Sequence, residues 1–130
     1  MREIKFRMYS KKKKVMHYWD HIKQFQLAVL DDNNENEKYS SWMQYTGLKD
    51  KNGRDIYEGD IIQTSYMKIR GCAYRCVFSA EFGGYLFDPF VIGDKDAPLL
   101  GIEEFAQQWE EVKHGEVIGN IYENPKLLSN

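Results

Sequence analysis

The chain has 130 residues, 42% hydrophobic and 15% aromatic, and its 18 basic and 20 acidic side chains leave a formal charge of −2. That is the size of one domain, too apolar for compositional disorder. It also lacks the overall basic excess that phosphate neutralisation gives most nucleic-acid binders.

The opening Met1-Arg2-Glu3-Ile4-Lys5 alternates where a secretory signal needs a continuous apolar stretch, so the expected location is the cytoplasm. Ile4, Phe6 and Met8 alternate with Lys5, Arg7 and Tyr9, the period-two pattern of a half-buried strand. Ser10–Lys14 interrupts it, and Val15–Asp20 resumes it with Val15, His17 and Trp19 on one face. Residues 2–20 are therefore expected to form a β-hairpin with a lysine-rich turn. Phe25, Leu27 and Val29 suggest a third strand. Leu27–Leu30 is the longest apolar run near the start, far short of the roughly 18–20 residues a membrane-spanning helix needs. Residues 31–38 are entirely polar and predict an exposed loop.

Turn chemistry is densest over residues 43–62. Asn52-Gly53 predicts a type I′ hairpin turn, with both residues at positive φ. Gly59-Asp60 then re-aims the chain into Ile61–Ile69. Over Cys72–Phe82, Cys72, Tyr74, Cys76, Phe78, Ala80 and Phe82 share one face, and Gly83-Gly84 is expected to close a hairpin into Tyr85–Phe87. Two cysteines four apart on one strand sit about 13 Å apart, beyond the roughly 7 Å a disulfide spans. Cys72 and Cys76 are thus expected to be reduced, buried and unpaired with each other.

Ile102, Phe105, Ala106 and Trp109 match one helix face, with Glu103 and Glu104 in the first turn and Lys113, His114 and Gly115 at the end. A short helix near residues 102–112 is expected; a strand over Trp109–Val112 is the competing reading. Glu116–Tyr122 predicts a last strand that Asn124-Pro125 ends. The fold expected from this order is mainly β, α+β at most. It is a small antiparallel β-barrel built from hairpins, SH3-like in style, with that one helix. The organisation is a single domain over 1–130, with an N-terminal hairpin (2–20), an exposed loop (31–38) and a main β body (43–128).

Three stretches in order, Met1–Arg7 (MREIKFR), Gln44–Ile62 (QYTGLKDKNGRDIYEGDII) and Val117–Leu128 (VIGNIYENPKLL), resemble the YopX family of bacteriophage and prophage proteins. Just after Phe6-Arg7 the chain departs from the family pattern, with Met8-Tyr9 and four lysines in place of a Trp-Asp-like pair. The resemblance implies a phage or prophage protein of largely β fold in a bacterial cytoplasm. It implies no defined enzymatic activity, so no catalytic residue is carried over.

His17 and His21, with Asp20 between, supply too few of the three or four converging ligands a metal needs, and read better as hairpin or surface histidines. Glu103, Glu104, Glu110 and Glu111 fit the polar face of an amphipathic helix better than a catalytic pair. No Gly-rich phosphate loop, nucleophile elbow or Cys-x-x-Cys pair occurs. The expectation is a non-enzyme without catalytic residues, cofactor or metal. It acts by self-association as a homo-oligomer, or by binding a phage or host protein, and not on a membrane. Tyr57, Glu58, Asp60, Asn120, Tyr122 and Asn124 are the candidate interaction surface, since tyrosine combines contact area with a hydrogen bond at low entropic cost. The alternative is a small-barrel nucleic-acid-binding module. In it Lys11, Lys12, Lys13 and Lys14 would touch phosphates and nearby Tyr9, Tyr18 and Trp19 would stack on bases. It requires those lysines to cluster with Lys5, Arg7 or Arg75.

Overall fold

A computed structural model describes residues 4–22 and 37–129, the side chain of His21 excepted. The N-terminal alternation yields strands β1 (Phe6–Ser10) and β2 (Val15–His17), antiparallel with Met8 opposite His17. Lys11–Lys14 forms the turn between them, closed by the Lys14 N–H donating to the Ser10 carbonyl at 2.7 Å. Extended structure stops at His17, because Trp19 opens a one-turn helix, α1 (Trp19–Ile22). The expected Val15/His17/Trp19 face is not formed: Met16 and His17 are buried while Val15 is exposed. The strand expected at residues 25–29 and the loop at 31–36 lie outside the described residues; Glu37 and Lys38, which follow, are exposed.

Strands β3 (Met43–Lys49) and β4 (Asp55–Tyr57) complete a four-stranded antiparallel sheet in the order β2-β1-β3-β4. The hairpin between β3 and β4 is as expected, but its turn is not type I′. Gly53 has φ +82°, whereas Asn52 is not at positive φ. Lys49 faces Asp55, so the loop is residues 50–54, and the Gly53 N–H donates to the Asp50 carbonyl at 2.9 Å. Asp50 shapes this loop, accepting the N–H groups of Asn52 and Arg54 on one carboxylate oxygen.

Glu58-Gly59 passes the chain to a second antiparallel sheet, in the order β7-β6-β5-β8: β5 (Asp60–Gln63), β6 (Cys72–Ser79), β7 (Gly84–Val91) and β8 (Glu116–Asn120). The run Ile61–Ile69 divides at Thr64, whose hydroxyl accepts the Met67 N–H and caps helix α2 (Ser65–Ile69), so Met67 is buried. β6 ends at Ser79, three residues early, and residues 80–83 turn the chain so that Ser79 faces Gly84. Phe78 and Phe82, expected inside, are exposed.

The helix near 102–112 is confined to its last turn, α3 (Trp109–Val112). Gln107 exchanges two backbone hydrogen bonds with Phe87 (2.7 and 2.8 Å), which holds the preceding chain along the edge of β7, and Phe105 is 75% exposed. Gly115 is not at positive φ. Its position needs space, since a Cβ there would stand 2.7 Å from Ile62 Cγ2. β8 stops at Asn120, two residues before the expected end, and Pro125 opens a 3₁₀ turn (Pro125–Leu127).

The second sheet is buried on both faces. Ile62, Cys72, Tyr74, Cys76, Phe87 and Val117 join Ile56, Met67 and Val112 in the main core. Ile61, Ala73 and Phe90, of opposite parity, pack under Ile118, Leu127 and Leu128. A third cluster, Tyr9, Met16 and Met43 with Tyr122, links the N-terminal hairpin to the chain after β8. Both cysteines are buried and free, as expected.

Candidate functional site

The three stretches that carry the resemblance meet in space. Arg7 comes from the first, Tyr57, Glu58 and Asp60 from the second, and Asn120 from the third, with Asp60 directly opposite Asn120 in the β5–β8 ladder. Arg7 is 1% exposed, and its guanidinium donates to Asp60 Oδ1 at 2.8 Å and to the Glu58 carbonyl at 3.1 Å. Asp60 Oδ2 accepts the Tyr57 N–H at 2.8 Å, and the guanidinium lies over the Tyr57 ring, 4.8 Å from its centroid. Such pairing is what lets a charge leave water. Burial pushes the Asp60 carboxyl up from its ordinary value, with Arg7 and the Tyr57 N–H opposing. Burial likewise pushes the Tyr57 phenol up to about 12. Asn120 Oδ1 accepts the N–H groups of Tyr122 and Glu123, which turns the chain out of β8.

Tyr57, Asp60 and Asn120 are therefore buried, and their side chains organise the junction of the two sheets instead of facing a partner. Glu58 and Tyr122 are half-buried and Asn124 is exposed. Sequence reasoning missed Arg7. Its signal is a cation between Phe6 and Met8 on a strand whose every residue from Arg7 to Ser10 is buried, which period-two logic assigns to solvent.

Glu58 and Gly59 also floor a cleft of about 210 Å³, walled by Trp42, Met43, Phe78 and Tyr122. Gly59 is at φ +84°, and a Cβ there would meet Met43 Sδ at 3.2 Å, so no other residue suits the turn. Its N–H donates to the Cys76 carbonyl, and its own carbonyl accepts the Ile121 N–H, both at 3.0 Å. The walls are braced from behind: Tyr9 stacks on Tyr122 with centroids 5.4 Å apart, and Trp42 and Phe78 meet Phe6 and Tyr85 edge-on. Glu58 Oε1 accepts the Gln44 N–H at 3.0 Å. Burial pushes the Glu58 carboxyl up, against the opposing influence of that N–H and of Arg7.

The remaining candidates do not converge on this site. Lys12, Lys13 and Lys14 are exposed on their turn, but the basic partners their alternative role needs are engaged elsewhere. Arg7 is buried on Asp60, Lys5 donates to Asp55 at 2.6 Å, and Arg75 faces Asp88 across the β6–β7 ladder at 4.0 Å. His17 is buried and His114 exposed, and among the described residues no group of three or more metal-ligating side chains occurs. Glu103 and Glu104 lie exposed in the loop before α3. Glu110 pairs with Lys113 at 3.1 Å, and Glu111 is exposed beside it. No helix among the described residues is long and apolar enough to cross a membrane.

A family model described as YopX protein matches residues 5–129 of the chain. Among solved structures, the crystal structure of protein EF1440 from Enterococcus faecalis is similar over 99% of this chain and 100% of that one, at 24% sequence identity and a TM-score of 0.55. At that identity the likeness speaks to the fold. No curated protein matches the chain.

Proposed function

The chain belongs to the YopX family, and from that premise we infer that it is a non-enzymatic accessory protein of a bacteriophage or prophage, working in the bacterial cytoplasm through self-association or by binding another protein. The observation that carries this reading is exposed apolar surface on α2 and on the loop between β7 and α3. Ile69 is 83% exposed, Leu100 75% and Tyr66 56%. The helix and the loop are tied together, since the Tyr66 hydroxyl donates to the Gly101 carbonyl and the Arg70 guanidinium to the Leu100 carbonyl. Large apolar side chains exposed on adjoining segments are what a surface for another macromolecule would offer.

Light scattering is expected to find a defined oligomer whose mass barely changes with salt, because salt screens exposed charges and not apolar contact. Ile69→Glu with Leu100→Glu should dissociate it, and replacing Lys11–Lys14 by Gln should leave it intact. A monomer that shifts nucleic acid at low salt, losing it steeply as salt rises and altogether in the four-Gln variant, would favour the nucleic-acid reading instead.

A further inference from the structure

The cleft beside the sheet junction holds a charge the fold leaves half satisfied. Glu58 Oε1 accepts the Gln44 N–H, while Oε2 bonds to no described residue. The nearest cation, Arg7, already serves Asp60 and reaches Glu58 only at its backbone carbonyl. Glu58 shares the lining of this cleft with three aromatic residues, Trp42, Phe78 and Tyr122. A half-desolvated anion among aromatic faces attracts a cation twice over, by charge and through the ring quadrupoles. A guanidinium suits such a place better than an ammonium, being planar, weakly hydrated and able to stack. Arg75 also borders the cleft, but its side chain is 38% exposed and the Asp88 carboxylate 4.0 Å away offsets its charge.

We propose that this cleft receives one arginine side chain of a partner protein, with the guanidinium against Glu58 and its stem between Phe78 and Tyr122. The volume, about 210 Å³, suits one long side chain and not a folded surface. This assignment rests on the reading that the chain acts through protein partners, and it supplies the chemistry that such a partner would present.

The test is titration of the ¹⁵N-labelled full chain with the peptide acetyl-Gly-Arg-Gly-amide and with its neutral citrulline counterpart, followed by amide and indole shifts. Saturable shifts at the Trp42 indole, Gly59 and Tyr122 are expected with the arginine peptide. Citrulline should bind roughly tenfold more weakly, the worth of about one charge-assisted contact. Glu58→Gln keeps an acceptor for the Gln44 N–H and should weaken the arginine peptide by a similar factor. Phe78→Ala, at an exposed position where the fold loses only the edge-on contact with Tyr85, should weaken it as well. Equal binding of the two peptides, full affinity in Glu58→Gln, or shifts only outside the cleft would overturn the assignment. Light scattering separates this from the wider reading. An intact oligomer with no cleft shifts removes the arginine site alone, whereas a monomer with saturable cleft shifts supports the site and removes self-association.

Discussion

Arg7 is the residue on which the two sheets turn. Removing a guanidinium from water is tolerable only while Asp60, the Glu58 carbonyl and the Tyr57 ring surround it, and its Nε still lacks a partner among the described residues. Such a pair adds little over an apolar substitute, but losing one member strands the other charge. Arg7→Met should therefore lower stability by roughly 3–5 kcal/mol, leaving Asp60 buried and unpaired. Adding Asp60→Asn should recover part of that loss, since the neutral amide oxygen still accepts the Tyr57 N–H. Urea midpoints of the two single variants and the double variant measure the coupling, and strict additivity would show that the pair is not a unit. From the alternation of β1 alone, Arg7 belongs to the polar face, and its burial is not legible until β5 lies beside it.

At the scale of one element, the 50–54 loop shows how a carboxylate replaces the turn that Asn52-Gly53 predicts. Asp50 accepts the N–H groups of Asn52 and Arg54 and, from the other sheet, of Val117 at the start of β8. Burial alone would raise its carboxyl, but these three donors outweigh burial and hold it below its ordinary value. The sign follows: a depressed carboxylate contributes stability above the unfolded value of about 3.9 and loses it as pH falls through the folded value. Asp50→Asn should cost about 2–3 kcal/mol at pH 7, since each of its three charge-assisted hydrogen bonds is about 1 kcal/mol stronger than a neutral one. The gap between variant and parent should shrink steadily below about pH 4. Asp55, also held low by Lys49 and Lys5 against burial, is common to both proteins and cancels in the difference. Denaturant midpoints at pH 7 and pH 3 measure it, and a gap independent of pH would show that the loop does not need the charge.

For the whole molecule, the thiols report whether the second sheet opens as a unit. Cys72 and Cys76 sit on β6 within the main core, and burial pushes both thiols up from their ordinary values. Neither should react with a thiol reagent in the native protein, and both should react once it is denatured. Their labelling rates should coincide when opening is global. Mass analysis along a denaturant series checks this. Early labelling of Cys72 alone would show that the α2 end of β6 frays separately.

Alternation and turn residues were enough to read a mainly β chain of hairpins and its first hairpin, because these are local properties of period and backbone preference, while the family was legible only through the resemblance of three ordered stretches. Local pattern also misled where tertiary contact outweighed it. The apolar spacing of residues 102–109 satisfies a helix, yet Gln107 is drawn into backbone pairing with Phe87. The alternation through Phe82 continues a strand that the turn after Ser79 ends. Tyr57, Asp60 and Asn120 look like surface polar residues in sequence, but each is enclosed once segments more than fifty residues apart pair. Burial of a charge and the shape of a cleft depend on what arrives from elsewhere in the chain, so Arg7 inside and Glu58 lining a cleft with three aromatic residues were decided by the tertiary structure alone.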